Sequence, residues 1–137
     1  MNMHMPVYSA FYAALLGLLG ALLTVRVILY RGRFRAGEGD GGQAPLRRAI
    51  RAHGNFIEHA PLAMLLIVLA EGLAALPLVI HVLGVLLLIG RLASAWQLSR
   101  SLGPGALRGV GAAATLIVTI AAAVVVLYRV SVVLSLR

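Results

Sequence analysis

Apolar residues in this chain run in long blocks, not in amphipathic stripes. Val7–Val25, Gly72–Gly90 and Gly109–Tyr128 hold 19, 19 and 20 residues without a formal charge. A helix needs about 20 such residues to cross the hydrocarbon core of a bilayer, so each block predicts a membrane helix. A fourth block, Ala60–Ala70, is too short alone. It reaches spanning length when the helix starts near Leu46 and takes in the polar stretch "AIRAHGNFIEHAP". The pattern predicts an all-α integral membrane four-helix bundle, one domain over residues 1–137, with helices at about 7–30, 46–73, 77–102 and 106–132.

Punctuation agrees with this division. Pro6, Pro45 and Pro77 stand where a first helical turn tolerates a missing N–H, and "SLGPG" ends the third helix. Pro61 lies inside the second helix, frees the carbonyl of Ile57 and is expected to bend it. The segment "RGRFRAGEGDGGQAP" is the longest non-apolar stretch, a glycine-rich connection that is either flexible or tightly turned. No Gly-Lys-Ser/Thr follows it and no strand precedes it, which removes a phosphate-cradling reading.

With 61% hydrophobic and 12% charged residues, the chain lacks the polar surface of a soluble domain. It has no cysteine, so thiol chemistry has to use a thiol that arrives with a ligand. The N-terminus has no basic residue before its apolar run, and a retained first helix is expected, not a cleaved signal. All twelve basic residues are arginine, and they give a net charge of +8. They crowd around the first and third connections and avoid the second. The positive-inside rule then places connections one and three in the cytoplasm and both termini on the opposite side. This is a topology signal with contacts to anionic membrane lipid, not a nucleic-acid interface.

One stretch does more than span. Arg51, Asn55 and Glu58 are spaced i, i+4 and i+7, so they share a helix face and form a stripe about 10 Å long. An acid in the hydrocarbon region costs about 2.5–3.5 kcal/mol at its centre and persists only with a partner, which makes Glu58 a functional candidate. Cation, amide and anion together complement a zwitterionic ligand that carries both an ammonium and carboxylates. Arg26 and Arg31 at the end of helix 1, Arg91 in helix 3 and Arg108 at the start of helix 4 fall at the same level, and Arg91 is expected to have a buried partner. Arginine suits carboxylates because it binds them bidentately and stays ionised. Glu71, at the far surface, receives no role. His4, His53, His59 and His81 are dispersed over different helices or faces, and no metal site is expected.

The pattern Arg-x-His-Gly-Asn-x-x-Glu-x-x-Pro, at Arg51–Pro61, resembles the membrane-associated proteins in eicosanoid and glutathione metabolism, the MAPEG family. "GDGG" at Gly39–Gly42 and "LLLIGRLAS" at Leu86–Ser94 look like its small bacterial branch, a bacterial inner-membrane protein. The resemblance implies a homotrimer with glutathione at subunit interfaces, and a lipophilic small molecule as second substrate. It implies glutathione contacts at Arg51, Asn55 and Glu58, a glutathione carboxylate partner in Arg31, a helix 3 arginine near the site in Arg91, and a thiolate-stabilising arginine in Arg108. The chain departs from the leukotriene- and prostaglandin-forming members at Ser94, Leu98, Gly109 and Gly54, which leaves eicosanoid synthesis unsupported. The expected function is therefore conjugation of glutathione to lipophilic electrophiles or reduction of lipid hydroperoxides. A non-catalytic membrane protein that binds glutathione or anionic lipid is the alternative. A transporter-like bundle ranks third, because the polar layer lies on one side only.

Overall fold

The computed structural model describes residues 5–101, 103 and 106–136, apart from the side chain of Arg108. Four helices account for nearly all of it: α1 (Val7–Phe34), α2 (Ala44–Gly72), α3 (Pro77–Arg100) and α4 (Ala106–Ser135). At 1.5 Å per residue they are about 36–45 Å long. All four are long and apolar enough to cross a membrane.

The long-range hydrogen bonds give the direction of each helix. Near its N-terminus, α1 meets the first turns of α3 through Tyr12 and His81, and near its C-terminus it meets the end of α3 through Arg26 and Ser99. These two helices are parallel. Arg91, late in α3, reaches Asn55 early in α2 and Gly111 early in α4, so α3 runs against both. Up–down–up–down order follows, with the first and third connections at one end.

The packing is a diamond, not a square. α2 and α3 pack on each other and each also packs on α1 and α4, while α1 and α4 make no contact among the described residues. Ile67, Ile80, Leu87 and Val118 are fully buried along this central seam. Small residues set the closeness of the crossings. Gly20 makes room for the ring of Phe56, and Gly84 for that of Tyr12, where an added Cβ would collide. Outside the seam, large apolar side chains such as Leu18, Leu22, Leu62 and Leu127 are exposed, as expected of surfaces that face lipid or other membrane helices.

Some boundaries differ from the hydrophobic pattern. α1 continues to Phe34, past the end of the apolar block, because Gly32 stays helical and termination waits for Arg35. That residue sits in the left-handed region (φ 52°), and its N–H closes the last turn. The first connection is tightly turned: Asp40 Oδ1 accepts from the N–H of Gly42 at 2.9 Å, and Asp40 pairs with Arg47 at 2.9 Å. α2 runs unbroken through Pro61. It closes through Ala74, at φ 58°, with the N–H of Ala75 donating to the Ala70 carbonyl at 3.0 Å.

Glu71 has a structural role that the sequence reading did not assign. It is only 6% exposed. One carboxylate oxygen accepts from the N–H of Tyr8 at 3.0 Å and the other from that of Ser9 at 2.6 Å. Pro6 precedes α1 and offers no side-chain cap. The first N–H groups of any helix need an outside acceptor, and Glu71 supplies it from the end of α2. The missing cap at Pro6 was the available signal.

Candidate functional site

Arg91 organises the polar layer. It is 1% exposed and lies at the meeting of α2, α3 and α4. Nη1 donates to the backbone oxygen and to Oδ1 of Asn55, both at 3.3 Å. Nη2 donates to the Gly111 carbonyl at 2.9 Å and to Ser94 Oγ at 3.4 Å. Nε has no partner. The expected buried partner is thus a set of neutral acceptors, with no carboxylate among them.

The sequence permits this because α3 and α4 approach closely at glycine. A Cβ on Gly111 would collide with Ser94 Oγ and the Gly90 carbonyl, and one on Gly90 would press against Ala114 at 3.2 Å. Thr115 Oγ1 donates to the same Gly111 carbonyl at 2.9 Å. Ser94, one of the positions at which the chain departs from the leukotriene- and prostaglandin-forming pattern, is thereby committed to Arg91 and to the close crossing.

Asn55 is held by this clamp. Its Oδ1 must face Arg91, since the guanidinium can only donate. Its Nδ2 has no hydrogen-bond partner among the described residues and is not among the buried unpartnered atoms, so it is offered to a ligand. Beside it lies a cavity of about 210 Å³ lined by Ile50, Arg51, Gly54, Asn55, Glu58 and Leu98. The stripe read from spacing alone is therefore gathered on one wall. Arg51 and Glu58 are exposed and make no ion pair with each other. Gly54 leaves open space where a side chain would stand, and Leu98 offers an apolar wall. A second, mainly apolar groove of about 390 Å³ between α2 and α4 begins at the same Glu58 and runs past His59, Leu62, Ala112 and Leu116 to Thr119.

The remaining arginines are distributed differently. Arg31 does not line the cavity within one chain; its Nη1 donates to the Gly37 carbonyl at 2.8 Å and to that of Ala36 at 3.3 Å. Arg26 turns to α3, where it donates to Ser99 Oγ and, at 3.3 Å, to the Ser99 carbonyl. Arg108 stands in the first turn of α4, one turn before Gly111, and its side chain lies outside the described residues. No cluster of metal-ligating side chains occurs among the described residues.

Comparison with known proteins agrees with the geometry. The MAPEG family model matches residues 9–128, with the clamp and the cavity inside the matched span. The chain belongs to the MAPEG family. The inner membrane protein YecN of Escherichia coli K12 is 40% identical over 84 residues, 61% of this chain and 64% of YecN. YecN of Escherichia coli O6:H1 matches equally. The match thus spans just under two thirds of these relatives. This MAPEG chain keeps the polar stripe of α2 on an open wall and braces it from behind with Arg91.

Proposed function

We propose that this protein is a glutathione-dependent membrane enzyme that conjugates glutathione to lipophilic electrophiles or reduces lipid hydroperoxides. The observation that carries this reading is the cavity itself. It presents a guanidinium (Arg51), an amide N–H (Asn55) and a carboxylate (Glu58) on one wall, and it shares Glu58 with an apolar groove. A zwitterionic peptide fits the first part: Arg51 pairs with a carboxylate, Glu58 with the ammonium, and Asn55 donates to a carbonyl. The apolar groove gives a lipophilic substrate a place beside it, reached from the bilayer without passage through water.

Bound glutathione would supply the thiol that the cysteine-free chain lacks. A thiol with an ordinary pKa of about 8.5 is mostly protonated at neutral pH, and a nearby cation favours the anion. Arg108 is the candidate for that role, and Arg91 holds Asn55 in place. The open wall, with Arg31 outside its lining in the same chain and bonded to its own loop, supports a homotrimer in which a neighbouring subunit brings its Arg31 to a glutathione carboxylate. The arginine distribution supports placing this end of the bundle in the cytoplasm, and the name of YecN supports the bacterial inner membrane.

A second reading is a non-catalytic protein that binds glutathione or anionic lipid. It is favoured by Leu98, which lines the cavity without a donor, and by Ser94, which is spent on Arg91. Calorimetric titration of reduced glutathione into the protein in detergent tests the pocket, with Arg51→Ala as control. Saturable binding abolished by the substitution is expected; no binding at millimolar glutathione with the oligomer intact would overturn both glutathione readings. Arg108→Ala then separates enzyme from binder. For an enzyme it retains most of the binding and loses turnover of a lipophilic electrophile.

A further inference from the structure

A further groove lies on the opposite side of the diamond, between α1 and α3, at the end that carries the first and third connections. It has a volume of about 400 Å³. Its floor is apolar, made by Leu19, Leu92, Ala95 and Trp96, and its rim carries Arg26, Ser99 and Arg100. Leu19 and Arg26 are seven residues apart on α1, as are Leu92 and Ser99 on α3. The apolar floor therefore extends about 10 Å from the rim toward the bundle middle.

Neither rim arginine is neutralised among the described residues. The chain has four acidic residues. Asp40 pairs with Arg47, Glu71 caps α1 at the far end, Glu58 lies on the α2/α4 side, and Glu38 is exposed in the first connection. Among the described residues neither Arg26 nor Arg100 meets a carboxylate. Both are nonetheless held in place. Arg26 is half-buried and fixed by two hydrogen bonds to Ser99, and the Arg100 guanidinium lies over the Trp96 ring at 4.0 Å from its centre. Trp96 itself is 57% exposed, an amphipathic ring of the kind enriched at a headgroup boundary.

From this juxtaposition we propose that the α1/α3 groove is a binding site for an anionic phospholipid of the phosphatidylglycerol type. Arg26 and Arg100 hold the phosphate, and one acyl chain lies along Leu92 and Leu19. Arginine is suited to the phosphate because it can offer two parallel N–H donors. A zwitterionic headgroup would bring its own ammonium to two guanidiniums and is disfavoured. The site is separate from the α2 cavity and shares no residue with it.

Trp96 is the only tryptophan in the chain and lines this groove, so its fluorescence reports lipid that reaches this part of the surface. The test titrates detergent-solubilised protein with dibrominated phosphatidylglycerol or dibrominated phosphatidylcholine and follows quenching. Half-maximal quenching by the anionic lipid is expected at a concentration about fivefold or more below that of the zwitterionic one. R26Q and R100Q should each weaken the anionic curve by about fivefold, while R33Q, at the same end but outside the groove, leaves it unchanged. Equal quenching by the two lipids in the unmodified protein would overturn the proposal without recourse to any variant. So would an R33Q loss as large as that of R26Q, which would assign the preference to diffuse surface charge.

Discussion

At the scale of single residues, Arg91 and Gly111 have to be understood together. A buried arginine is tolerated where its donors find acceptors, and here four acceptors come from three helices. Lysine carries three donors on one nitrogen and cannot spread them across Asn55 and Gly111 as the planar guanidinium does. Arg91→Lys should therefore cost roughly 1–3 kcal/mol, measured as a lower thermal midpoint in detergent. Gly111→Ala should cost a similar amount, about 1–3 kcal/mol, because α3 and α4 must separate. Adding Ser94→Ala should fail to rescue it, since the Gly90 carbonyl still occupies the space. Full rescue would mean that the serine hydroxyl was the only obstacle. The stripe Arg51–Asn55–Glu58 was legible in the sequence because helical spacing alone puts those residues on one face. The hold of Arg91 on Asn55 was not, because nothing in α2 or α3 taken singly says which α3 residue meets which α2 residue.

At the scale of elements, the helix ends are where the sequence departs from simple rules. α1 begins after a proline with no side-chain cap, and its N–H groups are satisfied by an acid 62 and 63 residues away in the chain. Glu71→Ala removes two charge-assisted hydrogen bonds and should destabilise the protein by about 2–3 kcal/mol. The amides of Tyr8 and Ser9 should lose hydrogen-exchange protection ahead of the rest of α1, and uniform loss along the helix would contradict a capping role. The turn from α2 to α3 makes the opposite prediction. Ala74 holds φ 58°, a conformation that costs a residue with a Cβ about 1–2 kcal/mol and glycine almost nothing. Ala74→Gly should accordingly raise the thermal midpoint by relieving up to about 1 kcal/mol, once the extra freedom of glycine in the unfolded chain is deducted. Hydropathy missed the last turn of α1 for a related reason. It registers burial in a membrane, whereas a helix ends where its backbone is capped.

At the scale of the whole molecule, the diamond packing leaves the two arginine-bearing surfaces on different sides. The α2 wall with Arg51, Asn55 and Glu58 is open, and the Arg31 of the same chain is tied to its own loop. If the proposed trimer completes each site with Arg31 from a neighbour, co-assembly of Arg31→Ala with Arg51→Ala subunits should restore function that neither has alone. Random mixing in equal parts would regenerate about a quarter of the sites, read as glutathione bound per trimer. No recovery in mixed trimers of verified composition would place both arginines within one subunit's site, or neither in any.

What the sequence determined by itself follows from periodicity and composition. Four uncharged or shortened apolar blocks impose four membrane-length helices, and the 3.6-residue repeat imposes the shared face of Arg51, Asn55 and Glu58. The motif around them pointed to the family that the match over residues 9–128 establishes. The tertiary structure alone decided the partners: Arg91 with Asn55 and Gly111, Glu71 with the start of α1, and Arg26 with Ser99 in place of the α2 cavity. Each of these links joins helices across 20 to 73 residues of chain. A helix face is a local property, fixed by the backbone geometry of a few consecutive turns. Which faces meet depends on where glycines allow backbones to close and on where buried donors find acceptors, and both are properties of the assembled bundle.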